Sequence, residues 1–196
     1  MKRLYLIGII PLLLWNLCGC GSGVTQAQSI QEQYSRLATA EMEAEVVCHL
    51  GGESRTYTLS CTLDGDTATT AVLAPAELQG VTATVSPDGL AVTYDGASLP
   101  AGELEDVAPA NCLPYLLHAL GSGYLLEESR ETLGDVACYR LALDTTAQSG
   151  QKVVCTVWID ADTLVPRYAE CSRDGQTFLT VQMLAFSCTV SQPTEE

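Results

Sequence analysis

The chain has 196 residues, with 24 acidic and 9 basic side chains, a formal charge of −15 and 9 cysteines. So acidic a sequence has no basic stripe for phosphate contacts, which excludes nucleic-acid binding, and it would be repelled by anionic headgroups, which excludes membrane attachment through surface charge. Its length suits one domain with a respectable core.

Lys2 and Arg3 open the chain, and Leu4 to Leu17 follow without a charge, interrupted by Pro11. A membrane-spanning helix needs about 20 apolar residues, and a proline would break a buried helix, so this run predicts an export signal. Leu17-Cys18-Gly19-Cys20 resembles the bacterial lipobox. That resemblance implies cleavage after residue 19 and acyl chains such as palmitate on Cys20, which would hold the protein on the extracytoplasmic side of a bacterial membrane. An ordinary secreted protein cut near Gly23 is the alternative. From Cys20 onward the chain keeps 7 basic against 24 acidic side chains, a charge of −17. Residues 20–28 read as the lipidated cysteine and a flexible spacer.

Ser29 stands three residues before Glu32, a capping-box spacing, and Ile30, Tyr34 and Leu37 follow at i, i+4 and i+7, predicting a helix over 29–39. Strands come next. Met42, Ala44, Val46, Cys48 and Leu50 alternate with Glu41, Glu43, Glu45, Val47 and His49, and Gly51 to Ser54 join them to a second strand. There Tyr57, Leu59, Cys61 and Leu63 take one face and four hydroxyl residues the other; Arg55 shares the apolar parity at a strand end, where it reaches water. Val81, Ala83 and Val85 lead through Pro87-Asp88-Gly89 to Leu90, Val92 and Tyr94, and Asp-Gly pairs begin at residues 64, 88, 95 and 174, where antiparallel strands would reverse.

The alternation breaks over Pro109 to Leu120. Leu113, Leu116, Leu117 and Leu120 fall at i, i+3, i+4 and i+7, with Pro114 near the start and Gly121 after the end, predicting a central helix. Strands resume over 136–144, 152–160, 164–172 and 177–189, and residues 191–196 form a polar tail. The expected class is mainly β, α+β: a strongly curved antiparallel sheet wrapped over an N-terminal and a central helix.

Residues 74–96, the segment Pro114 to Leu120, and above all Trp158-Ile159-Asp160 with Thr163, Pro166, Arg167 and Asp174-Gly175 resemble the lipoprotein-carrier superfamily of LolA- and LolB-like proteins. The resemblance runs through residues 29–190, read as one LolA-like domain. It implies an incomplete barrel of about eleven antiparallel strands, closed by helices around a cavity for acyl chains. The carrier's aromatic and arginine motif on the early strands is missing, so the resemblance carries the fold further than the transport role.

Enzymatic readings find little support. His49 and His118 are the two histidines, there is no GxSxG or HExxH, and Cys112 and His118 would lie about 240° apart on a helix rather than on one face. Glu127-Glu128 and Glu103, Glu105 and Asp106 read as solvated loops. No catalytic residue, metal or cofactor is expected. Seven cysteines besides Cys20 cannot all pair within one chain; Cys48, Cys61, Cys155 and Cys188 sit on apolar parities, and buried reduced thiols are expected over a disulfide framework. Tyr57, Leu59, Val92, Tyr94, Leu116, Leu117, Leu120, Tyr139 and Trp158 either fill the core or line a cavity. The function expected is therefore a membrane-anchored monomer binding a lipid or other hydrophobic ligand; the alternative is a module binding a protein of the cell envelope. Replacing Cys20 with Ser should leave an uncleaved precursor or release the protein to the medium, while Cys18→Ala should change neither; cell fractionation and the mass of the N-terminal peptide check both outcomes.

Overall fold

The computed structural model describes residues 25–102, 107–146 and 152–191; Cys20 with its leader and residues 21–24 of the spacer, the acids Glu103, Glu105 and Asp106, and the tail from residue 192 lie outside them, while residues 25–28, expected as spacer, cap and open the first helix. Helix α1 (Gln26–Ser35) precedes β1 (Leu37–Leu50), β2 (Glu53–Asp64), β3 (Thr67–Ala74), β4 (Thr82–Ser86), β5 (Gly89–Tyr94) and β6 (Ala97–Gly102). The central helix α2 (Cys112–Ser122) leads to β7 (Tyr124–Leu133), β8 (Val136–Thr146), β9 (Lys152–Asp160), β10 (Pro166–Arg173) and β11 (Gln176–Val190). These strands form one antiparallel sheet in the order β6-β5-β4-β3-β2-β1-β11-β10-β9-β8-β7, with β6 and β7 as its edges, so the barrel is incomplete, as the resemblance implied.

The period-two pattern decides which face of the sheet is dry. Ala40, Met42, Ala44 and Val46 on β1 and Leu59 and Cys61 on β2 are buried, while Glu41, Glu45 and Thr62 are exposed. Arg55 is exposed beside Glu53, at 3.6 Å. The four Asp-Gly pairs all sit at strand reversals. At Asp95-Gly96 the φ values are 48° and 77°, and at Asp174-Gly175 51° and 76°, the two consecutive left-handed residues that a tight hairpin matching the strand twist requires.

Both helices lie on the dry face. Leu113, Leu116 and Leu120 of α2 are fully buried with Val157 and Ile159 of β9 and Leu179 of β11. Helix α1 adds Ala27, Ile30 and Tyr34. The buried core of the described residues lies between Ala27 and Met183, so a chain beginning after Cys20 carries all of it.

Several element boundaries differ from the sequence expectation. Helix α1 begins earlier: Thr25 caps it in a reciprocal box with Gln28, Ser29 lies within the first turns, and Leu37 belongs to β1. Gly121 lies inside α2 rather than after it, and Gly123 follows its end. A Cβ on Gly121 would come within 3.0 Å of the Ser35 backbone nitrogen and 3.1 Å of the Tyr34 carbonyl carbon, so this glycine lets α1 and α2 touch backbone to backbone. Strands β3, β6 and β7 go beyond the sequence expectation. Glu127 and Glu128 thus stand on an edge strand, not a loop: Glu127 meets Arg140 at 3.2 Å, and a Glu128 carboxylate oxygen accepts the Ala27 N–H in the first turn of α1 at 3.2 Å, where a negative charge suits the helix dipole.

The residues Trp158 to Arg167 run from the end of β9 through the β9–β10 turn to the start of β10. Asp160 accepts the N–H groups of Asp162 and Thr163 on one oxygen, each at 3.0 Å, and Arg167 on the other, at 2.7 and 3.1 Å. Leu164 takes a φ of 57°, and its carbonyl accepts the Tyr34 hydroxyl at 2.8 Å, tying the turn to α1. Arg167 and the turn's N–H groups hold the Asp160 carboxyl down at about 2. A carboxyl held below its unfolded value of about 3.9 stabilises the fold above that pH, and the contribution vanishes as pH falls through the folded value. It is worth about 2 kcal/mol at most, because the Arg167 side chain is 45% exposed and partly screened. Asp160→Asn should therefore lower stability at neutral pH by roughly 1 to 2 kcal/mol in urea unfolding, with the gap to wild type closing between about pH 4 and about pH 2.

Candidate functional site

Among the described residues the sheet and its two helices leave a half-open groove of about 630 Å³ beside α2, and a second recess of about 590 Å³ lies over the ends of β1, β2 and β11. The floor of the groove is apolar: Leu37 at the start of β1, Leu63 at the end of β2, Ala68 on β3, Val85 on β4, and Pro114 and Leu117 on α2. Leu63, Ala68 and Val85 face the groove because strand parity turns them to the dry side of the sheet, and register places Ala68 opposite both Leu63 and Val85. Polar side chains stand among them. Tyr34 is committed to the Leu164 carbonyl, and burial pushes its hydroxyl pKa up. Asn111 accepts the Ala108 N–H at 2.8 Å, and the Tyr115 hydroxyl meets Thr145. His118 Nε2 lies 3.1 Å from the Ser122 hydroxyl. Asp66 and Ser86 complete the lining.

Of the nine residues picked out from the sequence, Leu117 lines this groove. Leu59, Leu116 and Leu120 are at most 1% exposed and pack inside the core, where they fill space between sheet and helix. Tyr57 and Tyr139 are half-buried against that core, Tyr139 with the Arg130 guanidinium over its ring at 5.4 Å. Val92 is half-buried on β5, whereas Tyr94, near the edge of the sheet, is 54% exposed. Trp158 lies on the opposite face from Val157 and Ile159. There it packs on Tyr168 at 5.4 Å, donates to Glu131 at 3.0 Å and carries the Arg140 guanidinium at 5.6 Å. The groove residues that sequence reading missed come from strand ends, from the turns at Asp66 and Pro87, and from the helices, as with Tyr34 and His118. Only Leu63 carries a signal, the parity it shares with Leu59 and Cys61 on β2.

Among the described residues no nucleophile and base are brought together in the groove. Cys112 is buried, its thiol pushed up in pKa by burial and directed to the Pro109 carbonyl at 3.4 Å, while His118 is exposed on another side of α2. Among the described residues no three His, Cys, Asp or Glu side chains converge as a metal centre would need. Five of the seven described cysteines are buried, and Cys155 and Cys171, opposite each other on β9 and β10, bring their sulfurs to 3.2 Å inside the core.

No protein-family model matches the sequence, and comparison with curated proteins finds no match. Solved structures do match. A domain from Vibrio parahaemolyticus described as outer membrane lipoprotein-sorting is 11% identical with a TM-score of 0.50, over 87% of this chain and 93% of that one. An uncharacterized conserved protein from Thermus thermophilus gives the same identity and TM-score over 86% and 90%. A LolA superfamily protein from Nitrosomonas europaea is 13% identical over 86% and 96%, with a TM-score of 0.47. Such likenesses speak for architecture alone, and the architecture of this chain is LolA-like.

Proposed function

We propose that this chain is a lipid-anchored binding protein of the bacterial cell envelope that holds a hydrophobic ligand in the groove beside α2. One observation supports this reading above the others: the interior beneath α2 is filled, yet a cavity of about 630 Å³ with an apolar floor stays open at its side. That volume falls within the roughly 300 to 1,000 Å³ of small-molecule sites. Each acyl methylene buried there contributes about 0.8 kcal/mol, so six to eight carbons give roughly micromolar binding after the costs of association. The anchor at Cys20 would keep the groove within a short spacer of the membrane.

A second reading is a module that docks an envelope protein. It is favoured by the β6 edge of the sheet, where Leu99 is 69% exposed beside the exposed Tyr94 and where an added strand could pair.

The two readings separate in a titration of the unanchored chain with a fluorescent acyl probe bearing an uncharged head. Wild type should bind it saturably. Val85→Glu, which puts a charge on the groove wall, should weaken binding at least roughly tenfold with little change in melting temperature, whereas Leu116→Glu, in the filled core, should unfold the domain. A folded wild-type domain that takes up no probe would overturn the ligand reading in favour of protein docking.

A further inference from the structure

We infer that the groove selects its ligand by head-group charge, admitting an acyl chain beneath an uncharged or cationic head and rejecting one beneath an anionic head. The inference rests on the groove reading above and comes from where the chain's cations are. Beyond the leader there are seven, and each is engaged elsewhere. Arg36 pairs with Glu32, Arg55 with Glu53, and Lys152 with Asp144 at 3.0 Å. Arg140 sits between Glu127 and Glu131, and Arg167 is bound to Asp160. Arg130 lies over Tyr139, and Arg173 over Phe178 at 5.2 Å. None of the seven lines the groove.

The groove's own permanent charge is the Asp66 carboxylate, in the β2–β3 turn, which forms no ion pair among the described residues. Beside it the Ser86 oxygen accepts the Asp88 N–H at 3.3 Å, which leaves its hydroxyl proton to donate. A phosphate or carboxylate head entering with its chain would give up water near the Asp66 carboxylate and meet no Lys or Arg, a cost that donors such as the Ser86 hydroxyl offset only in part. A hydroxyl-bearing or ammonium head would instead find an acceptor. The general field of so acidic a chain acts in the same direction but is screened within about 8 Å at physiological ionic strength, so selectivity that survives there is local to the groove.

Three amphiphiles sharing one dodecyl chain test this against the unanchored protein, each below its micelle concentration and at physiological ionic strength: dodecyl maltoside, dodecyltrimethylammonium and dodecanoate. The readout is displacement of the uncharged fluorescent probe, with circular dichroism confirming the fold at every point. Maltoside and ammonium should displace the probe at concentrations at least roughly tenfold lower than dodecanoate, the factor expected for one unit charge a few ångströms from another at a partly wet mouth. Asp66→Asn should narrow that ratio, and Asp66→Lys should reverse the order of ammonium and dodecanoate. Equal displacement by all three, or ratios indifferent to both Asp66 variants, would overturn head-group selection while leaving the groove as a ligand site. Failure of all three and of the probe itself to bind folded protein would overturn the groove reading.

Discussion

An open sheet has a dry face that something must cover, and here two helices of ten and eleven residues cover it. Their contact at Gly121 sets how well they do so. Because that residue has no Cβ, the α2 backbone reaches the last turn of α1, and the pair forms a continuous lid. Gln31 reinforces the junction by donating to the Gly123 carbonyl at 2.7 Å. Below this lid the leucines of α2 reach the middle of the sheet, and hydrophobic burial there dominates the folding free energy. Where α1 ends and the chain turns into β1, the lid ends too, and the groove between α2 and the strand ends beyond is what it leaves uncovered.

The segment that most resembles the lipoprotein carriers has a structural job. Asp160 organises a turn by accepting from two N–H groups and from Arg167, and the turn in turn accepts the Tyr34 hydroxyl. None of Asp160, Thr163 or Arg167 lines the groove. A likeness carried by such residues conveys how the sheet is closed down on its helices. It says little about what the groove holds, which depends on residues such as Val85 and Asp66 that no motif marks.

What is legible in the sequence follows the same division. Strand β2 can be read because its apolar and hydroxyl residues alternate strictly, and α2 because its leucines keep helical spacing. Strand β7 cannot: as an edge strand with little dry surface, its Glu127, Glu128, Arg130 and Glu131 look like those of a loop. Strand β3 hides behind small residues, and the start of α1 behind Leu37, which fits a helical period but lies on a strand. Within the site, neighbouring leucines of α2 part company: Leu116 turns into the core and Leu117 to the groove, a step of about 100° that matters only once the sheet's position is known. Trp158 suggests the dry side by its size, yet the alternation of Val153, Cys155, Val157 and Ile159 already sets it on the other; parity outweighs bulk.

The seam that joins β1 to β11 pairs Leu37 with Val190 at one end and Cys48 with Leu179 at the other. Its paired residues lie 131 to 153 positions apart in the chain. A polypeptide emerging from its N-terminus can make the β1–β2 hairpin early, but β1 keeps an unsatisfied ladder of N–H and C=O groups until the last strand is available. Loop-closure entropy of that span makes the seam a late event, and the molecule belongs among slow folders of high contact order. Until residue 190 is free, the strands β6 to β1 and the strands β11 to β7 remain two sheets with no shared seam, and the helices have no continuous dry face to cover.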